Sequence, residues 1–154
     1  MERKVEVVPA MFGHVNQIAP HVRECDVAEI WAQTHMDPKA ALDTALVLCP
    51  ESYACLLNGT VVALFGVLAD ETGRNGTLWM IGTDDIYDNA DLFHKHTAQW
   101  LEHFRGRFDR ISNWVDARNR AAVKWIGSVG FRVDDPVPHG PDQIPFHYFE
   151  WRAA

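Results

Sequence analysis

The spacing of hydrophobic residues changes period several times along the chain. Short apolar runs bounded by turn residues are typical of strands, and they occupy residues 5–8, 52–57, 60–69, 77–82, 111–115, 131–133 and 146–151. Apolar residues at three- and four-residue intervals predict helices between these strands, over residues 14–22, 26–31, 37–49, 88–107 and 119–129. The order predicts an α/β fold in one domain, residues 1–154, with a mixed, mostly antiparallel sheet flanked by helices.

The second and third strands are separated only by Asn58-Gly59. Both residues of this dipeptide tolerate a positive φ, which a two-residue hairpin turn requires. The sequence therefore predicts a tight antiparallel hairpin over residues 52–69.

Three helices carry local signals. Asp26 stands three residues before Glu29, the spacing of a capping box, and Asp37-Pro38 is a typical helix start. In the 88–107 helix one face is apolar, and it contains Phe93, Thr97, Trp100, Leu101 and Phe104. Because this helix joins two strands, it predicts a parallel crossover within an antiparallel sheet. Such a pair can splay apart and expose backbone donors to a ligand.

Composition limits the possible partners and compartments. Fourteen basic and 21 acidic residues give a net charge of −7, which argues against nucleic acid or an anionic membrane as a partner. Neither a membrane-spanning run nor a signal peptide is visible. Cys25, Cys49 and Cys55 form no CxxC pair and predict reduced thiols in a cytoplasmic protein. His94 and His96 are two residues apart on a helix, so no metal site is predicted. The six tryptophans are interpreted as core.

The segment from Asn119 to Phe131 carries the strongest motif. An asparagine opens a helix, Ala122 follows three residues later, and Gly130-Phe131 closes it. This segment resembles the cofactor-binding core of the GNAT superfamily of N-acetyltransferases, and the order of elements also fits that family. The resemblance implies the acyl-CoA N-acyltransferase fold and acetyl-CoA as cofactor. It places the cofactor-binding residues at Met80, Ile81, Gly82, Thr83, Asn89, Asn119, Lys124 and Trp125.

Several shorter segments, among them residues 82–86, 113–119 and 138–147, resemble a narrower, phage-encoded branch. That branch includes internal virion protein A of T7-like phages. It implies an alternative function, a non-catalytic virion or morphogenesis protein with phage virion proteins as partners.

The sequence departs from the GNAT pattern in two places. Residues 83–89, where family members have a glycine-rich phosphate loop, contain Asp84, Asp85 and Asp88, and their carboxylates would repel a diphosphate. Ile126 stands where many members have a tyrosine that protonates the leaving thiolate.

Candidates for the base that deprotonates the amine are Asp84, Asp85, Asp116 and His147, at strand ends or on the last strand. Six basic residues form either a solvated face or an anion site, namely Arg105, Arg107, Arg110, Arg118, Arg120 and Lys124. The leading hypothesis is a CoA-dependent N-acetyltransferase acting on a small-molecule or protein amine, and the virion protein remains the alternative.

Overall fold

The computed structural model describes residues 2–154, which fold around one eight-stranded sheet with helices on both faces. The strands are β1 (Val5–Pro9), β2 (Glu51–Leu57), β3 (Thr60–Ala69), β4 (Asn75–Gly82), β5 (Arg110–Asp116), β6 (Arg132–Val133), β7 (Val137–His139) and β8 (Ile144–Arg152). The helices are α1 (Phe12–Ile18), α2 (Glu24–Thr34), α3 (Pro38–Leu48), α4 (Asp85–Asp88), α5 (Ala90–Arg105) and α6 (Arg120–Ser128), with a 3-10 turn at Ala19–His21.

The sheet has the strand order β1-β2-β3-β4-β5-β8-β6, and β7 also pairs with β8. All neighbours are antiparallel except β4 and β5, which are parallel and are connected through α4 and α5. This topology confirms the predicted mixed, mostly antiparallel α/β fold and its single parallel crossover.

The turn between β2 and β3 has the predicted form. Asn58 and Gly59 have φ values of 49° and 84°, and the strands pair from Leu57 with Thr60 onward. Both residues occupy the left-handed region, which matches the twist of a two-residue hairpin.

Two apolar layers hold the helices to the sheet. On one face α5 and α6 pack through Leu101, Phe104 and Ile126, as the helical spacing predicts for α5. On the other face α1 and α3 pack through Val15, Ile18 and Leu42 against β2 and β3. Burial of such side chains contributes roughly 1.5–3 kcal/mol each, so both layers are needed to hold the sheet between them.

The structure corrects three details of the predicted elements. The capping box at Asp26 is wrong: α2 begins at Glu24, and Arg23 takes the N-cap position with no side-chain cap. The predicted 88–107 helix is preceded by a separate one-turn helix, α4. The segment between β6 and β8, where no strand is predicted, contains the short strand β7.

Other local predictions are confirmed. The Asn119 side chain accepts a hydrogen bond from the Ala122 N–H at the start of α6, and Asp37 caps α3 in the same way. Cys49 and Cys55 are buried free thiols.

None of the helices in residues 2–154 has the length and apolar composition needed to cross a bilayer.

Candidate functional site

A cleft opens through the sheet between β4 and β5. The two strands pair only where Asn75–Thr77 meets Arg110–Ser112. Beyond that point they diverge and leave a cleft of about 320 Å³, with α2 on one side and α5 and α6 on the other. The predicted splay of the parallel pair is therefore present.

Side chains take over the hydrogen bonds that the diverging strands lose. The Asn113 amide donates to the Leu78 carbonyl at 2.6 Å, and its oxygen accepts from the Trp114 N–H at 2.7 Å. At the far end of β4, the Gly82 N–H donates to Asp26 Oδ2 at 2.9 Å, and the Gly82 carbonyl accepts from the Arg23 N–H at 2.9 Å. Asn113 and the start of α2 thus hold the cleft open without leaving these groups unpaired.

Met80 is left with backbone groups that face the cleft. Residues of an antiparallel strand alternate between bonding to their partner strand and directing their N–H and C=O to the opposite side. Leu78 and Gly82 direct theirs away from β3, to Asn113 and to α2. Met80 lies two residues from each of them on the same strand. Its N–H and C=O therefore also point away from β3, into the gap between β4 and β5.

Glu29 is a candidate functional residue that the sequence interpretation assigned only to a helix cap. It lies on α2, lines the cleft and accepts a 2.7 Å hydrogen bond from the Asp116 N–H through Oε1. Burial raises the pKa of Glu29 to about 7, and the nearby Asp26 and Asp116 add to the rise, while the Asp116 N–H and Arg23 oppose it. A carboxyl group with such a pKa exchanges protons near neutral pH.

The predicted catalytic side chains are placed differently. Asp116 is buried and forms a two-pronged ion pair with Arg118, so it reaches the cleft only through its backbone. His147 bonds the Asp134 carbonyl at 2.7 Å through Nδ1. Asp84 and Asp85 are exposed and line a separate hollow near Val22 and Thr60. Their catalytic roles stay predictions, and the geometry favours Glu29 over all four.

The predicted cofactor-binding residues divide into two groups. Met80, Ile81, Asn119 and Trp125 lie around the cleft. Of the others, Gly82 and Thr83 have N–H groups already bonded to Asp26 and to the Val62 carbonyl, and Lys124 is exposed on α6. The predicted backbone contacts along β4 are therefore reduced to those of Met80.

The N-terminus of α5 already has an anion. Both carboxylate oxygens of Asp91 accept from the Arg3 guanidinium at 3.1 and 3.0 Å. This pairing lowers the pKa of Asp91 to about 2, helped by the Leu92 N–H. Asn89, a predicted cofactor-binding residue, accepts from Arg3 and donates to the Asp85 carbonyl. The helix end that would favour a diphosphate is thus occupied by the chain's own carboxylate.

The basic residues do not form the common anion site that was one of two interpretations. Arg105 bonds the Val129 carbonyl, Arg107 pairs with Glu51, and Arg118 pairs with Asp116. Within residues 2–154, Arg120 and Lys124 on the exposed surface of α6 make no ion pair.

The prediction that the tryptophans belong to the core is confirmed for four of the six, Trp79, Trp100, Trp125 and Trp151, which pack against the hydrophobic clusters, but not for Trp31 and Trp114. Trp79, Trp114 and Trp125 are half-buried and line the cleft, and Trp31 is 53% exposed. Aromatic side chains serve a buried layer and a ligand wall equally well, so the sequence pattern does not separate these roles.

The end of β7 and the turn that follows it pack against Trp114, which lines the cleft, and against α2. His139 stacks on Trp114 with ring centroids 4.2 Å apart, and Asp142 bonds His35 at the end of α2 at 2.9 Å. Gly140 has φ 76°, and a Cβ there would lie 2.4 Å from the Ala32 carbonyl oxygen, so only glycine allows this close approach. This turn is therefore fixed to α2, the helix that carries Glu29.

Solved structures share this fold over nearly the whole chain. An acetyltransferase of the GNAT family from Streptococcus pneumoniae is 15% identical with a TM-score of 0.62, covering 98% of this chain and 100% of that one. Ard1 from Thermoplasma volcanium is 11% identical with a TM-score of 0.73, covering 97% and 98%. The ribosomal-protein-S18-alanine N-acetyltransferase from Escherichia coli is 14% identical with a TM-score of 0.67, covering 96% and 92%. The chain therefore has the GNAT acetyltransferase fold, as predicted.

No family model and no curated protein matches the sequence. At the identities above the likeness establishes the fold alone, and the resemblance to phage virion proteins stays a prediction.

Proposed function

We propose that this protein is an N-acyltransferase that moves an acyl group from a CoA-type thioester to an amine. One observation carries the proposal. The divergence of β4 and β5 opens one cleft that is lined both by Met80, with its free backbone groups, and by the half-buried Glu29. Amide donors aimed at a carbonyl and a base with a pKa near neutrality are what direct acyl transfer requires.

In this mechanism the amine approaches from the α2 side of the cleft and the thioester from the side of α5 and α6. Glu29 takes the proton of the ammonium group, directly or through a water molecule, and the amine nitrogen then forms a bond to the acyl carbon. The Met80 N–H stabilises the charge that develops on the carbonyl oxygen. The carbon–sulfur bond breaks and the nitrogen releases its second proton to solvent, which leaves a neutral amide. The thiolate takes its proton from solvent because Ile126 offers no acid.

The acyl donor fits the site only in part. An acyl thioester with its pantetheine arm suits the cleft beside Met80, because an extended amide chain can bond to the open edge of a strand. A diphosphate does not suit the start of α5, where Asp91 already neutralises the helix end and three further aspartates lie on α4 and its N-cap. Arg120 and Lys124 are one helical turn apart on α6, and we assign the phosphate contacts of a CoA donor to them.

Acetyl-CoA is accordingly expected to bind weakly, and the double variant Asp84→Asn/Asp85→Asn should tighten its binding. Asp84 and Asp85 lie before the start of α5 and not beside Arg120 and Lys124, so their carboxylates oppose the phosphates by longer-range repulsion, which salt screens. In calorimetry at low ionic strength we expect a several-fold lower Kd, with a smaller gain in high salt. The matched control is Glu71→Gln/Asp109→Asn, which removes two charges at the opposite end of β4. Equal tightening by both variants would show that net charge alone is responsible.

The second candidate function is the non-catalytic virion or morphogenesis protein. The observation that favours it is the pairing of Arg3 with Asp91 at the start of α5, because a protein that has given up the cofactor has no need of an open phosphate site. The two functions separate on ligand linkage: a specific ligand at a hundred times its Kd stabilises the fold by about 2.7 kcal/mol. If neither acetyl-CoA nor an acyl-pantetheine of any chain length gives heat or a rise in Tm at millimolar concentration, the enzyme proposal should be abandoned for this one.

A further inference from the structure

A second cavity lies between the sheet and α5. It has a volume of about 90 Å³, and its walls are almost entirely apolar. Side chains of β3, β4 and α5 line it, among them the almost fully buried Ala63, Leu101 and Phe104. The chemistry of the cleft does not account for this apolar cavity.

This cavity adjoins the cleft. The two share five wall residues, Leu78, Trp79, Met80, Leu101 and Trp125. Met80 is the central one, because its backbone faces the gap beside β5 while its side chain, 37% exposed, contributes to the cavity wall. A group held at the Met80 backbone therefore lies at the mouth of the cavity.

The cavity suits an apolar occupant. Thr97 is one of its few polar wall residues, and its hydroxyl already donates to the Phe93 carbonyl at 2.7 Å. A buried water needs two to four polar partners, whereas an apolar cavity of roughly 150 Å³ stays dry and accepts benzene. By the same measure, 90 Å³ takes a chain of roughly three or four carbon atoms.

We propose that the acyl group this protein transfers is longer than acetyl, an unbranched aliphatic chain of roughly four to six carbons whose tail occupies the cavity under α5. The inference rests on the proposed acyltransferase function and specifies its donor. The thioester carbonyl lies at the Met80 N–H, and the methylenes beyond it pass over the Met80 side chain toward Ala63. The cavity ends at small side chains of β2 and β3, Cys55 and Ala63, which sets the limit on chain length.

The test measures binding of acyl-pantetheines, which lack the diphosphate and so avoid the acidic start of α5. Acetyl, butanoyl, hexanoyl and decanoyl forms are compared by calorimetry and by tryptophan fluorescence, since Trp79, Trp100 and Trp125 line the cavity. Burying one more methylene group raises the affinity by up to roughly fourfold. Butanoyl should bind roughly tenfold more tightly than acetyl, hexanoyl at least as tightly as butanoyl, and decanoyl no more tightly than hexanoyl.

A cavity-filling variant locates the chain. Ala63→Leu adds three carbons to the cavity and should remove the preference for hexanoyl over acetyl. Ala98→Leu makes the same change on the exposed face of α5 and should keep the preference. Tm values of both variants report folding, and Ala63→Val replaces Ala63→Leu if the larger side chain unfolds the protein.

The possible failures are distinguishable. If acetyl-pantetheine binds as tightly as the longer forms, or Ala63→Leu keeps the preference, the acyl-chain inference is wrong and the acyltransferase proposal stands. If no acyl-pantetheine of any length binds, both are wrong.

Discussion

Replacing Glu29 by glutamine is expected to lower the rate of acyl transfer by about 10²–10⁴-fold, the range that a general base contributes. Glutamine keeps the size of the side chain and can still accept from the Asp116 N–H, so the cleft should retain its shape, but an amide cannot take a proton from an ammonium group. The measurement is single-turnover acyl transfer from the thioester that binds best. Glu24→Gln, an exposed change on the same helix, is the matched control and should leave the rate unaltered.

The pH dependence gives an independent check on the same residue. Because burial raises the pKa of Glu29 to about 7, the rate for the unmodified protein should rise with pH and level off above about 7. The Glu29→Gln variant should lack this inflection. A variant that keeps both the rate and the inflection would assign the base to another group.

The same carboxyl group should make the free energy of unfolding fall over the pH range in which the rate of acyl transfer rises. The folded-state pKa of about 7 lies above the ordinary value of 4.5, so between these values the folded protein binds more protons than the unfolded chain. The free energy of unfolding therefore falls as pH rises from about 4.5 to about 7. Glu29→Gln removes this loss and should be more stable than the unmodified protein at pH 8, by up to about 3 kcal/mol, with little difference at pH 4.5. Denaturant unfolding at the two pH values measures it.

Local sequence signals were enough to predict most of the fold. The Asn58-Gly59 turn, the Asn119 cap and the apolar face of α5 each depend on residues within a few turns of one another, where spacing alone fixes the geometry. The parallel crossover followed from the order of elements, and the splay of β4 and β5 followed from it. These features needed no knowledge of distant contacts.

The candidate site was harder to predict from local sequence signals. Asp26 and Glu29 have the spacing of a capping box, but the same spacing also places two side chains on one face of a helix. The alternatives differ only in whether the helix begins before or after Asp26. The signal that could have decided this is the polar stripe of Arg23, Asp26, Glu29 and Gln33, because a cap has no reason to continue for three turns.

The state of the α5 N-terminus depends on a contact that no local pattern contains. Arg3 and Asp91 are 88 residues apart and meet only because β1 lies near the start of α5 in the folded chain. The sequence indicated acidic residues in the wrong place for a diphosphate. That one of them would occupy the helix end, with its own counter-ion, is a property of the tertiary structure.

The buried ion pair at the end of β4 should be the other site of large effect. Asp26 is 4% exposed and accepts from the Arg23 guanidinium at 2.8 and 2.9 Å as well as from the Gly82 N–H. Asp26→Asn can still accept from Gly82, but it leaves the charge of Arg23, a side chain only 12% exposed, without a partner. Removing one member of a buried pair costs about 3–5 kcal/mol, so Tm should fall by about 10 °C.

The double variant Arg23→Met/Asp26→Asn separates the effect of an unpaired charge from the effect of losing the hydrogen bonds to Gly82. It removes both charges, keeps an acceptor for the Gly82 N–H and leaves the Arg23 backbone bond to Gly82 in place. Replacing a whole buried pair is often neutral, so most of the lost stability should return. Asp43→Asn, which breaks the more exposed pair with Lys39, should cost less than about 1 kcal/mol. If Asp26→Asn costs no more than Asp43→Asn, the pair does not anchor β4, and the open end of the cleft is held instead by the backbone bond from the Arg23 N–H to the Gly82 carbonyl.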